Sequence, residues 1–249
     1  MLKKIEGIVI RSTDYGESNK IITIYSRDSG KIGMMARGAK KPNSRLSSIS
    51  QLFTYGHYLY RSYKGLGTLS QGETIHSFRS IREDLFKTAY AAYIVELADK
   101  LTEDFVASPT LFNLLYYSLY FINENFDEEV ITFIYETKML AFAGITPQLH
   151  NCAHCTNAEE EYVAFSVKEG GYLCHRCLHA DPHYIRISRA TAKLLPIFLT
   201  MDIKRLGQIS LKKSTRSEIK RVLDEYYEAY SGLYLKSKRF LSQLEKFEQ

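Results

Sequence analysis

The sequence predicts an α+β multidomain chain: a small β-barrel over residues 1–80, an all-α helical domain over residues 81–249, and a four-cysteine insertion at 150–182 among the helices. Three observations predict it. Short apolar runs broken by Gly and Asp-Ser-Gly turn signals fill the first 80 residues without helical periodicity. From residue 81 the apolar spacing turns helical. All four cysteines fall into two Cys-x-x-Cys pairs. At 249 residues the chain exceeds one typical domain, and 45% hydrophobic with 24% charged residues is the makeup of a chain that folds throughout.

The strand elements come first. "KKIEGIVIRSTDYG", "KIITIYSRDSGKIGMMARGAKK" and "QLFTYGHYLYRSYKGLGTLSQGETI" are apolar runs separated by turn residues, and "GLG" at 65–67 reads as a hairpin turn. In the third run Phe53, Tyr55, His57, Leu59 and Arg61 share one face, and Thr54, Gly56, Tyr58, Tyr60 and Ser62 the other. Both faces carry aromatics. Strands this closely spaced, with no helix between them, favour a closed barrel over an α/β sheet.

The helical elements follow. Leu85, Ala89, Ala92, Tyr93, Leu97 and Leu101 keep helical spacing, and Ser80 with Glu83 has the form of a capping box in front of them. Ser108 reads as an N-cap with Pro109 at the first helical position, and Gly144 closes the helix that starts near Asp127. The Tyr and Phe stripes on these helices are core by their spacing alone. After the cysteines, "SRATAKLLPIFL" and "IKRLGQISL" predict short helices, and residues 214–247 predict a long one, relaxed at Gly232.

Cys152, Cys155, Cys174 and Cys177 form C-x2-C-x18-C-x2-C, the spacing of a four-cysteine zinc site in which each short turn supplies two thiolates. The segment between the pairs reads as the hairpin that brings them together. One structural Zn2+ is expected. His150, His154, His175 and His179 lie nearby, but four thiolates already close the site. A closed site leaves no position for catalytic water, so the metal is expected to serve stability.

Charge is distributed unevenly. Residues 1–80 hold 13 Lys/Arg against 5 Asp/Glu, residues 81–150 hold 4 against 11, and residues 151–249 hold 16 against 12. Such asymmetry points the first segment towards a polyanion. Its densest stretch, "RGAKKPNSRL" at 37–46, carries Arg37, Lys40, Lys41 and Arg45 with no carboxylate, on a loop expected to be exposed and extended. Arg11, Lys20, Arg27 and Lys31 are candidate neighbours. A basic barrel with exposed aromatics suits single-stranded nucleic acid, because cations follow phosphates while rings stack on bases. Candidate stacking rings are Tyr15, Phe53, Tyr55, Tyr58, Tyr60 and Tyr63.

No catalytic constellation is present. The P-loop, dinucleotide-binding and G-x-S-x-G patterns are missing, and Glu83 with Asp84, like Asp127 to Glu129, sits where helix N-termini favour negative charge. A nuclease reading would need Glu6, Asp14 and Glu17 brought together by the barrel. The chain is read as no enzyme. No signal-peptide h-region or membrane-length apolar run is seen, so a cytoplasmic location is expected.

The stretch "GIVIRSTDYGESNKIITIYSRDSGKIGMMARGAKKPNSRL", together with "LYRSYKGLGTLSQGE" and the cysteine motif, resembles the RecO family of bacterial DNA repair and recombination mediators, and the resemblance extends over essentially the whole chain. It implies an OB-fold barrel followed by a helical domain with the zinc motif. It also implies a nucleoid-associated, non-enzymatic member of the RecFOR pathway that binds single- and double-stranded DNA and anneals complementary strands. Implied partners are RecR, the acidic C-terminal tail of single-stranded DNA-binding protein and, indirectly, RecA; RecF enters in some settings. On that reading the 37–46 loop with Arg11 and Lys20 holds DNA, while Lys212, Lys213, Arg216, Lys220 and Arg221 hold the acidic tail or a second strand. The competing reading is a zinc-ribbon scaffold between proteins, with incidental nucleic-acid contact.

Overall fold

One long strand organises the barrel. The structure is a computed structural model that describes residues 1–63, 65–158 and 161–247. Lys64, in the expected turn, and Glu159 and Glu160, in the expected hairpin, lie outside the described residues. Strand β1 (Leu2–Tyr15) pairs antiparallel through its second half with β2 (Asn19–Ser26) and through its first half with β4 (Tyr55–Arg61). A register shift between Val9 and Arg11 bends β1 so that it serves both partners. Strand β3 (Gly30–Ala36) runs antiparallel to β2, and β5 (Gly67–His76) antiparallel to β4. Parallel pairing of Met34 and Met35 with Gly67 and Thr68 closes the ring in the order β1-β2-β3-β5-β4. This is the OB-fold.

Ile5, Val9, Ile22, Ile24, Ile32, Met34, Tyr58, Tyr60 and Leu69 fill the barrel, as alternation along each strand requires. The loop between β3 and β4 also contributes Ala39 and Ile49 to this core. Ile49 sits so close to β5 that a Cβ on Gly72 would lie 2.5 Å from its Cγ1. The loop is therefore not extended, as the sequence suggested. It winds into successive turns, Lys41 N–H to Gly38 O (3.0 Å), Ser44 N–H to Lys41 O (3.0 Å) and Ser47 N–H to Ser44 O (3.1 Å), because its apolar anchors bind it to the barrel.

The helices are α1 (Arg79–Glu83), α2 (Leu85–Leu101), α3 (Pro109–Asn123), α4 (Glu128–Phe142), α5 (Arg189–Thr200), α6 (Lys213–Ser231) and α7 (Lys236–Phe247). The chain forms two compact units. Unit 1 holds Met1–Phe126 and the chain from Leu235 on, and unit 2 holds Asp127–Tyr234.

In unit 1, Ser80 and Glu83 do not make a capping box. Ser80 lies inside the five-residue α1, which follows Phe78 in a left-handed conformation, and its hydroxyl accepts from Lys87 Nζ at 2.7 Å. The cap of α2 is Asp84, accepting from Lys87 N–H at 3.0 Å. Ser108 caps α3 through Leu111 N–H, with Pro109 behind it, as expected. Helix α7 packs on α2, where Glu96 caps it by accepting from Lys236 N–H (3.2 Å) and Ser237 N–H (2.8 Å). The long C-terminal helix of the sequence reading is thus two helices, with α6 ended by Gly232 at φ 60°.

In unit 2, helices α4, α5 and α6 pack on one another. Gly144 (φ 72°) ends α4 in a Schellman motif, Ile145 N–H bonding Leu140 O and Gly144 N–H bonding Ala141 O. Residues 203–205 make a single 3-10 turn in place of the short helix expected there. A three-stranded sheet carries Cys174 and packs with Cys152 and Cys177: β6 (Tyr162–Ser166) lies between β7 (Gly171–Cys174) and β8 (Ile185–Arg186). The β6–β7 hairpin is the one expected between the cysteine pairs.

Candidate nucleic-acid interface and metal centre

The basic loop is tied to one end of the barrel. Lys40 N–H donates to Ser18 O (2.9 Å), and Gly38 N–H donates to the Asn19 side-chain carbonyl (2.9 Å). Arg37, Lys40 and Lys41 are thereby fixed beside the β1–β2 turn. Lys20, paired across the strands with Asp14, joins them there. Arg37, Lys41 and Arg45 are exposed and make no ion pair among the described residues. Lys40 does: its Nζ lies 2.9 Å from Asp14 Oδ2. The Lys40 hydrogen bond, reinforced by the charges of Lys40 and Lys20, holds the Asp14 carboxyl below its ordinary range.

Three other sequence candidates are engaged by the fold. Arg11 donates to Thr23 Oγ1 through Nε (3.2 Å) and Nη2 (3.0 Å) and pairs with Asp99 at 3.4 Å, so it braces the barrel wall although its side chain is 59% exposed. Arg27 lies 4.5 Å from the Phe112 ring centroid and 3.6 Å from Glu6. Lys31 is buried, donates to Asp99 O at 2.7 Å, and pairs with the carboxylates of Asp99 and Asp104. Arg27 and Lys31 hold helices to the barrel and do not belong to a nucleic-acid rim.

The structure also sorts the aromatic candidates. Phe53, Tyr58 and Tyr60 are core. Tyr55 packs on Phe112 and Tyr116 of α3, and its phenol, pushed up by burial and by its 2.5 Å hydrogen bond to Glu6, does not face solvent chemistry. Tyr15 and Tyr63 remain, 53% and 59% exposed. Tyr15 ends β1 opposite Asn19, beside the basic loop. Tyr63 lies in the β4–β5 turn, whose Leu66 reaches Gly33 on the outer face of β3. The β1–β2 turn, the β4–β5 turn and the outer β2–β3 face are the surfaces with which OB-folds take oligonucleotides. The carboxylates of a nuclease reading are not assembled. Glu6 bonds Tyr55 near the start of β1, whereas Asp14 bonds Lys40 near its end.

In unit 2 the four cysteine sulfurs lie within 4.8 Å of one another, and among the described residues they are the one cluster of three or more His, Cys, Asp or Glu ligand atoms so placed. All are free thiols, with Cys152, Cys174 and Cys177 buried and Cys155 exposed. Metal–thiolate bonds of about 2.3 Å imply a tetrahedron with edges of about 3.8 Å. Cys155 Sγ and Cys174 Sγ are 3.8 Å apart. Against burial, which opposes ionisation, backbone N–H groups of both turns lower Cys152 to about 6; one of them, Cys174 N–H, points at its sulfur from 3.5 Å. The donor set fits a closed tetrahedral metal site. Two of the nearby histidines are engaged elsewhere: His154 Nδ1 meets Glu169 at 3.2 Å, and His179 Nδ1 meets Arg176 O at 3.0 Å.

The C-terminal cations are not equivalent. Arg216 is clamped by carboxylates at the start of α4, both its Nη atoms meeting Asp127 and Nη1 reaching Glu129 Oε2 at 2.6 Å, while its Nε donates to Leu211 O at 3.1 Å. It is a structural clamp, not a free cation. Arg221 pairs with Glu225 at 2.7 Å on its own helix. Lys212 and Lys213 are exposed at the start of α6.

Comparison with known proteins adds to this geometry. The family model described as recombination protein O N terminal matches residues 1–78, and the one described as recombination protein O C terminal matches residues 82–239. A DNA repair protein RecO from Bacillus subtilis (strain 168) is 55% identical over 248 residues, covering 100% of this chain and 97% of its own length. Those of Bacillus cytotoxicus and Bacillus mycoides (strain KBAB4) are 55% and 54% identical over 248 residues, with both chains covered in full.

Proposed function

Because the chain belongs to the recombination protein O family, whose work is DNA repair and recombination, we propose that it binds single- and double-stranded DNA at the β1–β2 end of the barrel and anneals complementary strands without making or breaking bonds. The observation that carries this reading is the basic loop, held by Ser18 and Asn19 so that Arg37 and Lys41 stand exposed beside Lys20 and Tyr15, with Arg45 exposed further along it and none of these three loop cations ion-paired among the described residues. Two strands repel through their phosphates. A surface that neutralises one backbone and leaves base edges open lowers the barrier to pairing.

The fuller reading is a cytoplasmic mediator that works with RecR to help RecA onto DNA coated by single-stranded DNA-binding protein. Lys212 and Lys213, with Lys220 and Arg221, are the candidates for the acidic tail or a second strand; Arg216 supports them from its carboxylate clamp. The four cysteines hold one Zn2+, which supplies folding stability to the β6–β7 hairpin and no chemistry. Among the described residues no helix is long and apolar enough to cross a membrane.

The test is anisotropy of labelled single-stranded DNA across a salt series, comparing the wild type with Arg37, Lys40, Lys41 and Arg45 all changed to Ala. With Lys40 internally paired, three freed contacts at about 0.7 each should flatten the log–log slope by about 2. Unchanged affinity and slope in a folded variant would remove the loop from the DNA site and favour the scaffold reading.

A further inference from the structure

Three phenylalanines of unit 1 adopt left-handed backbone conformations: Phe53 (φ 70°), Phe78 (φ 48°) and Phe105 (φ 64°). For a bulky residue this region is strained and persists only where its surroundings impose it. Phe53 and Phe78 are fully buried, so packing offsets the strain. Phe105 is 68% exposed, and Val106 beside it is 53% exposed.

The backbone under this pair is nonetheless firmly held. Phe105 N–H donates to Lys31 O at 3.2 Å, and buried Lys31 ties Asp99 and Asp104 together. Gly30 (φ 66°) admits the segment, since a Cβ there would lie 2.4 Å from Val106 O. The fold fixes the backbone under an aromatic and an aliphatic side chain that stand in solvent instead of being hidden. Exposed apolar side chains on a backbone already fixed need less ordering on association than those on a loose loop, and buried aromatic anchors are the usual centre of protein interfaces.

The surroundings are acidic. Glu103 and Asp104 flank the pair, Asp28 is exposed on the β2–β3 turn, and Lys100 is the one exposed cation between residues 96 and 110. Arg27 and Lys31, the cations of the neighbouring strand end, and Arg11, which reaches Asp99 from β1, are already taken up by Glu6, Asp99 and Asp104. This end of the barrel also lies away from the basic loop. The loop is anchored where β2 begins, Phe105 where the β2–β3 turn follows its end, and eight residues of strand separate them by about 26 Å.

We propose that Phe105 and Val106, with the carboxylates of Asp28 and Glu103, form a docking surface for a basic protein whose contact face offers an apolar pocket rimmed by lysine or arginine. Phosphate would meet like charge here, which disfavours nucleic acid. A second copy of this chain in a two-fold contact would present the same acidic surface, which disfavours self-association. The barrel can then hold DNA at one end and a protein at the other.

The experiment places the photo-crosslinker p-benzoylphenylalanine at position 106 of the full chain, in the cells that make it, and identifies the adduct by mass spectrometry. The expected adduct is with one other protein, through a surface with a surplus of lysine and arginine. Its yield should fall at least tenfold when Asp28→Lys and Glu103→Lys are added, and likewise with Phe105→Asn, which keeps a residue tolerant of the left-handed backbone. The purified Phe105→Asn variant should melt as the wild type does and bind single-stranded DNA within about twofold of it, so that failure here is separable from failure of the DNA reading. If the charge-reversed protein does not fold, Phe105→Asn decides alone. No adduct, an adduct with a second copy or with DNA, or a protein adduct indifferent to these changes would overturn the proposal.

Discussion

Lys40 Nζ sits 2.9 Å from the Asp14 carboxylate, so one of the four cations in the basic loop is already neutralised within the molecule. Replacing Asp14 by Asn should free it. We expect tighter single-stranded DNA binding and a log–log salt slope steeper by about 0.7, measured by anisotropy. The pair also has a pH signature. Asp14 is depressed by Lys40 in the folded chain, so the pairing's contribution is fully present above the ordinary carboxylate range and is lost as pH falls through the lowered value.

Tyr15 and Tyr63 should differ from the other ring candidates. Tyr15→Ala is expected to cost about 1–3 kcal/mol of single-stranded DNA affinity, the range for a lost base stack, and much less for duplex, whose bases are not exposed. Tyr55→Phe should leave DNA binding unchanged, because its ring faces α3 and its hydroxyl serves Glu6. Paired titrations with strand and duplex check both.

Arg216→Ala should destabilise unit 2 by about 1.5–3 kcal/mol, the range for hydrogen bonds to charged groups, in denaturant melts. Arg216→Lys should recover little, since one ammonium cannot reproduce the fork on Asp127 and Glu129. Burial alone would raise the Asp127 carboxyl, but Arg216 and the Val130 N–H outweigh it and hold it low. Its contribution is therefore present above about pH 4 and disappears as pH falls through the lowered value.

One equivalent of zinc per chain is expected from a chromogenic thiol-release titration. Cys174→Ser, at a buried ligand, should abolish it and expose the β6–β7 hairpin to proteolysis. Barrel binding of DNA should persist, because unit 1 contains none of the ligands.

Gly30→Ala should cost unit 1 about 3 kcal/mol in a thermal or urea melt, combining a left-handed backbone with a collision against Val106. Phe105→Gly should cost little or nothing, since an exposed ring loses few contacts and the strained backbone is relieved. A large loss on Phe105→Gly would mean that the ring is a packing residue after all.

The parts legible in the sequence were local ones. Strand alternation, the Ser108–Pro109 start, the Gly144 stop and each Cys-x-x-Cys pair lie within a few residues, and each appears in the structure. The aromatic roles were not legible, because both faces of β4 are apolar: Tyr58 and Tyr60 face the barrel, and Tyr55 faces α3. Nor were the fates of Lys31 and Arg216 legible, whose partners lie 68 and 89 residues away. Charge density marked the loop at 37–46 correctly as a surface feature. It could not separate a free Arg37 from a paired Lys40, which depends on the β1–β2 turn meeting the loop. The Ser80–Glu83 signature misled because α1 ends after one turn and Asp84 starts the longer helix.

The return of the chain to unit 1 at Leu235 has a consequence for biosynthesis. The ribosome makes α2 early and α7 only after all of Asp127–Tyr234. At about 5–20 residues per second, the face of α2 that ends up under α7 waits roughly 7–30 s without its cover, the time to make the chain from Leu101 to Phe247. During that interval Glu96 has no helix to cap, and Tyr90 lacks Glu245. The nascent barrel unit is therefore a natural client for a chaperone, and a messenger cut short before codon 235 would release it with that face permanently bare.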